Sequence, residues 1–189
     1  MSKVRIAGRQ TTITFVYMHT GAKHMLQLAE REEDGQLYTV TAALVFCAFT
    51  LEAYLNHLGK LRNKNWDEIE RKLPKLEKYK MFCKEAGLTI DLKARPYRTL
   101  DELFKFRDQM AHGKTIAEDI AFELDTADKK LPNLKRDNYL QAFAKIERAT
   151  DAIQDVEQLV KGLHVALGYV GNPFRRLGGG KYAVTKTSA

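Results

Sequence analysis

Apolar side chains recur along this chain with the period of a helix, and the interruptions mark where one element gives way to the next. Leu37, Thr41, Leu44, Ala48, Leu51, Leu55 and Leu58 follow alternating steps of four and three, which predicts a helix over about 37–62. Phe46, Phe49, Ala53 and Tyr54 widen its apolar face to nearly the whole circumference between residues 42 and 55. A helix apolar on every side belongs at the centre of a bundle. The same alternation returns in Ala142, Ile146, Ala149, Ile153, Val156, Val160, Leu163 and Leu167. It predicts a last helix over about 137–167, a seam roughly 45 Å long, stopped by Gly168. Met25, Leu26, Leu28 and Ala29 predict a first helix over about 22–33, broken by Asp34-Gly35. Asn65 can cap a helix starting near Trp66, with Asp67, Glu68 and Glu70 in its favoured acidic first turn. Pro74 breaks or restarts it, and Leu76, Tyr79 and Cys83 carry it to Gly87.

The most informative stretch is 99–114. Thr99 and Glu102 have capping-box spacing, and Gly113 can end the helix in the left-handed conformation. Leu100, Leu103, Phe104, Phe106, Met110 and Ala111 supply its buried side. Arg107 interrupts that side, and His112 stands at the helix end. The two lie about 140° apart around the axis, whereas Asp108 and His112 share a face, where the carboxylate can orient the imidazole. Arg107 then looks toward a neighbouring helix or a second copy of the chain. A purely structural account also exists, because cationic groups in the last turn complement the helix dipole. Glu52 and Asn56 are one turn apart on the central helix. Either they stand beside Arg107, which needs an acceptor if buried, or Glu52 reaches solvent and Asn56 bonds a neighbouring backbone. The loop 88–98 brings Arg95 and Arg98 just ahead of this helix, and Lys114 follows it; these three are expected to line the site.

The ends of the chain read differently. Residues 1–20 alternate in places, as in Thr12 to Tyr17, which fits a strand or hairpin turning at Gly8, or an extended arm packed on the bundle. His19 and His24 have the wrong spacing for two ligands on one helix face. After residue 168 the chain holds Gly178-Gly179-Gly180 and the cations Arg175, Arg176, Lys181 and Lys186 without an acidic neighbour, the pattern of a flexible basic tail. Glu118, Asp119, Glu123, Asp125 and Asp128 form an acidic run, read as a short helix or an irregular flap closed by Pro132. Lys72, Lys75, Lys78, Lys80 and Lys84 make a basic surface, diluted by Glu77 and Glu85, which a solvated helix face explains as well as RNA binding does. Three parts result: an arm over 1–21, one helical domain over 22–168 and the tail over 169–189.

Composition narrows the classes. The 44% hydrophobic fraction of 189 residues is ample for one core. A net charge of +7 favours anionic partners. Cys47 and Cys83 sit in apolar helical contexts and read as free buried thiols of a reducing compartment. The apolar run 42–49 is too short to span a bilayer, and the first residues lack a signal-peptide pattern. The expectation is a soluble cytoplasmic protein, with no membrane partner. No metal-ligand cluster, phosphate loop or dinucleotide fingerprint is present, so no metal and no cofactor is expected.

Arg107 and His112, spaced Arg-x-x-x-x-His at the end of a late helix, resemble the signature of the HEPN superfamily. The run Phe46, Cys47, Ala48, Phe49, Thr50, Leu51, Glu52, Ala53, Tyr54, Leu55 and Asn56 resembles the long HEPN helix beside it. The likeness covers roughly residues 22–167. It implies an all-α, up-and-down bundle of four to five helices, here with a short extended N-terminal arm or hairpin and a flexible C-terminal tail. It also implies a metal-independent endoribonuclease of toxin or defence type, acting as a homodimer whose Arg and His converge on RNA, with an antitoxin or regulatory protein as a further partner. The matching positions are Arg107 and His112, with Asp108 in the polar position after the Arg, where Asn is commoner. Other members are inactive and bind a nucleotide or a protein partner. The chemistry suits the residue types: an imidazole titrating near neutrality moves protons, and a planar guanidinium suits phosphate oxygens.

Overall fold

The computed structural model describes residues 3–117, 119 and 137–187. Strand β1 (Lys3–Thr12) leads into α1 (Thr14–Arg31) and α2 (Gln36–Arg62). Two shorter helices follow, α3 (Trp66–Lys72) and α4 (Lys75–Glu85), then α5 (Tyr97–His112). Beyond residue 137 come α6 (Tyr139–Phe143), α7 (Ile146–Ala166) and strand β2 (Gly178–Thr187). The acidic run around residues 118–128 lies, but for Asp119, outside the described residues, as does Pro132.

α2 is the centre of the bundle, as its all-round apolar pattern requires. Leu44, Leu51, Tyr54, Leu55 and Leu58 are fully buried, and α1, α3, α4, α5 and α7 all pack on it. By length and composition alone α2 could cross a membrane, yet here it forms the core of a helical bundle. Near its end Trp66 lies against Gly59, where a Cβ would meet the indole at 2.0 Å. Phe82 of α4 packs on the other side of that ring, centroids 5.6 Å apart.

Several expectations are corrected. The fold is mainly helical but not purely all-α. β1 and β2 form a two-stranded antiparallel sheet, so the segment read as a flexible tail supplies a strand. Gly8 pairs with Tyr182 in mid-strand and makes no turn. The first helix begins at Thr14, well before residue 22. The threonines there mimic strand alternation, but Phe15, Val16, His19, Ala22, Leu26 and Ala29 recur at helical spacing and are buried. His19 bonds Glu157 of α7 at 2.9 Å and stacks on Phe174, which ties the segment after α7 back to the bundle. Burial pulls the His19 pKa down despite that carboxylate.

The last helix is not continuous. α6 is capped by Asn138 with a reciprocal bond from Gln141, and the chain bends at Ala144 and Lys145 before α7 begins. The uninterrupted seam is therefore roughly 31 Å long at 1.5 Å per residue. The box predicted at Thr99 and Glu102 does not form. α5 starts two residues earlier, after Pro96, so Thr99 is already inside it. Its hydroxyl donates to Asp155 Oδ2 at 2.5 Å, and Glu102 accepts from Arg148 at 2.9 Å.

Gly59→Ala tests the packing of Trp66. The added methyl displaces a fully buried ring, so the substitution should destabilise by about 1–3 kcal/mol, measured as a lower urea midpoint with an unchanged slope.

Candidate functional site

α5 carries an amphipathic pattern, and Leu100, Leu103, Phe104 and Phe106 fix its rotation against the core. That rotation turns Arg107 toward α2. Its Nη2 lies 3.5 Å from Glu52 Oε2, and its Nη1 donates to Asp108 Oδ1 at 2.9 Å. The guanidinium carbon is 5.4 Å from the centre of the Phe49 ring, within range of a cation–π attraction. The Nε–H is buried and finds no acceptor among the described residues.

Asp108 is held in turn by Lys75 of α4, whose Nζ donates to both carboxylate oxygens at 2.9 and 3.2 Å. Burial pushes the Asp108 pKa up, but hydrogen bonds from Lys75 and Arg107 outweigh it, and the net direction is down. Asn56 is one turn beyond Glu52 but does not reach Arg107. It donates to Glu70 Oε1 at 2.9 Å and accepts from Lys78 Nζ at 3.0 Å. Lys78 is buried and stands over the Trp66 ring at 5.8 Å. Burial lowers its pKa, against the opposing pull of Glu70 and Glu52. The side chains of α2, α3, α4 and α5 thus meet in two polar groups, Glu52–Arg107–Asp108–Lys75 and Glu70–Asn56–Lys78.

His112 is exposed at the end of α5, and among the described residues no hydrogen bond reaches its ring. The expected Asp108–His112 contact is replaced by Asp108–Lys75 and Asp108–Arg107. Gly113 is not left-handed: its φ is −58° and ψ is 141°. Glycine is required there by close approach instead, since a Cβ would meet the Gln109 carbonyl oxygen at 2.5 Å. Lys114 follows, exposed.

Arg95 and Arg98 do not join this group. Arg95 bonds Asp155 at 2.7 and 3.0 Å and pairs with Asp151 at 2.7 Å. Arg98 lies 3.6 Å from Glu102. Both line a separate cleft of about 550 Å³ between α5, α6 and α7. The reason is helical geometry. Arg98 and Arg107 are nine residues apart, about 180° around the axis, so they face opposite sides of α5.

Sequence reading missed Lys75, Lys78 and Glu70. The sequence puts Lys78 on a basic surface, yet it lies four residues before Phe82 and next to Tyr79, both buried. That spacing was the available signal.

Asp108→Asn should lower stability near neutral pH by less than about 1 kcal/mol, since the carboxylate is nearly half exposed. The native pKa is depressed, so the carboxylate's contribution is present above about pH 3.9 and fades as pH falls through the native value. Denaturation curves of the two proteins should therefore converge in acid and separate at neutrality.

Comparison with family models, curated proteins and solved structures returned no match to this chain.

Proposed function

We propose that the chain is a metal-independent endoribonuclease of HEPN type, working as a homodimer in which Arg107 and His112 of both copies meet at one RNA linkage. One observation carries the reading. Arg107 is held partly buried against Phe49 with an unpartnered Nε, five residues before an exposed imidazole at the same helix end. A buried donor without an acceptor is costly, and such costs collect where function holds a group in place.

In the reaction the ribose 2′-oxygen attacks the adjacent phosphorus and its proton passes to His112. The bond from phosphorus to the 5′-oxygen breaks, and the leaving oxygen takes a proton from His112 of the second copy. The products are a 2′,3′-cyclic phosphate and a 5′-hydroxyl. Arg107 offsets the charge gathering on the phosphoryl oxygens. Asp108 does not stand as a bare negative charge in this arrangement, because Lys75 neutralises it.

The Glu52–Arg107–Asp108 contacts favour a second reading, a non-catalytic module that binds a nucleotide or a protein and uses Arg107 as a structural ion pair. Cleavage of a labelled RNA in excess EDTA separates the two. The nuclease should yield cyclic phosphate ends, and His112→Ala should slow it on the order of 10²–10⁴-fold. Arg107→Lys should also lose most activity, because an ammonium cannot replace the planar fork. Wild type and His112→Ala at the same background rate would overturn the nuclease.

A further inference from the structure

The ribbon of β1 and β2 has two unlike faces. Directly opposed residues of an antiparallel pair project to the same side, and successive residues alternate. Ile6 opposes Val184 and Gly8 opposes Tyr182. Val4, Ile6, Tyr182 and Val184 therefore share one face, each more than half exposed. Tyr182 lies across Gly8, and its hydroxyl donates to Gln10 Oε1 at 3.2 Å. The opposite face holds Arg5, Arg9 and Lys181, with Arg9 and Lys181 paired directly across the strands. At the base of the ribbon, Arg9, Lys181 and Arg176 line a cleft of about 390 Å³ above the backbone of Gly178, Gly179 and Gly180. A Cβ on Gly179 would meet nothing within 4 Å, so this floor is open.

Among the described residues, none of Arg5, Arg9, Arg175, Arg176 and Lys181 takes part in an ion pair. Like charges directly opposed on a ribbon destabilise it, so the Arg9–Lys181 pair is a local cost that an anion would remove. The asymmetry extends to the whole chain. Residues 30–157 hold all 24 acidic side chains against 22 of the 31 basic ones, so the excess of +7 comes entirely from residues 1–29 and 158–189.

We propose that the basic face of the ribbon is a docking surface for the phosphate backbone of single-stranded RNA, with one phosphate seated between Arg9, Lys181 and Arg176. An unneutralised row of cations on an exposed strand pair is the electrostatic footprint of a nucleic-acid surface. A membrane fits less well. An interfacial element buries its apolar side with cations beside the headgroups, whereas here Arg5, Arg9 and Lys181 lie on the face opposite the apolar one, and Lys186, the register partner of Val4, is the one strand cation on the apolar side. A protein interface also fits less well, because such interfaces are depleted of charge at their core. The surface shares no residue with α5, and binding to it needs no 2′-hydroxyl. It therefore goes beyond the nuclease reading and stands or falls separately.

The test uses the full chain and a labelled 2′-O-methyl RNA of about 20 nucleotides, which lacks the nucleophile for cleavage. Anisotropy is measured at several salt concentrations for wild type, Arg9→Ala/Lys181→Ala, Gly179→Glu and the exposed control pair Lys64→Ala/Lys72→Ala. The ribbon double variant should bind roughly tenfold more weakly near 0.1 M salt. Its plot of log affinity against log salt should be shallower by about 0.7, the value for the one phosphate seated at the base of the ribbon. Gly179→Glu, which adds a carboxylate without a clash, should weaken binding in the same direction, and the control pair should bind as wild type does. The exchange Arg9→Lys/Lys181→Arg keeps the charges and should restore affinity, which separates charge loss from loss of the ribbon. Unchanged affinity and slope in the double variant overturn the proposal. So does an equal loss in the control pair, failure of the charge exchange to restore binding, or stronger binding to phosphatidylserine vesicles or polyglutamate than to the RNA.

Discussion

Burial of the apolar side of α2, from Val40 to Gly59, is the constraint on which the other helices depend. Leu44, Leu51, Leu55 and Leu58 are removed from water together, each contributing roughly 1.5–3 kcal/mol relative to exposure. Exposed ion pairs, such as Lys80 with Glu77 or Lys105 with Asp101, contribute between about 0 and 1 kcal/mol each. The apolar contacts therefore decide how α1, α5 and α7 lie, and the surface charges adapt to that arrangement. Once Leu100, Leu103 and Phe106 are seated on the core, the rotation of α5 is fixed. Arg107 then has no course but to face α2.

That placement explains why so many polar groups gather on one side of the bundle. A partly buried guanidinium needs acceptors, and Glu52 and Asp108 provide them. Asp108 in turn draws Lys75, while Asn56 bridges Lys78 to Glu70. Among the described residues each charge is answered by a neighbour, while the Arg107 Nε–H finds no acceptor. The set is a scaffold that holds one cation at a defined depth near the end of α5, and the exposed His112 lies just beyond it. On the proposed function, the scaffold orients Arg107 while the helix terminus carries the proton-transfer group.

Charge is also segregated at the scale of the chain. Residues 30–157 are close to neutral, and the segments on either side of them carry nine basic and no acidic side chains. On the two proposals above, an electrostatic hold on a polyanion placed apart from the reacting groups would let affinity and chemistry vary independently.

The sequence alone determined the existence and extent of α2, the division into α3 and α4 at Pro74, and the end of α7 at Gly168. It also placed Glu52 on the helix that faces Arg107. These follow from short-range spacing, which survives any packing. The structure starts α5 at Tyr97 and so puts Arg98, read from sequence as part of a loop, on the same helix as Arg107 and half a turn away from it. What only the tertiary structure decided depends on contacts between distant segments. The pairing of residues 3–12 with residues 178–187 requires two stretches more than 160 positions apart, and neither carries a strong strand pattern alone. The partner of Asp108 came from α4 and not from its helical neighbour His112, because a lysine from a packed helix reached the carboxylate. Thr99 turned to Asp155 for the same reason. Local spacing says which groups can meet, and the packing of the core selects which of them do.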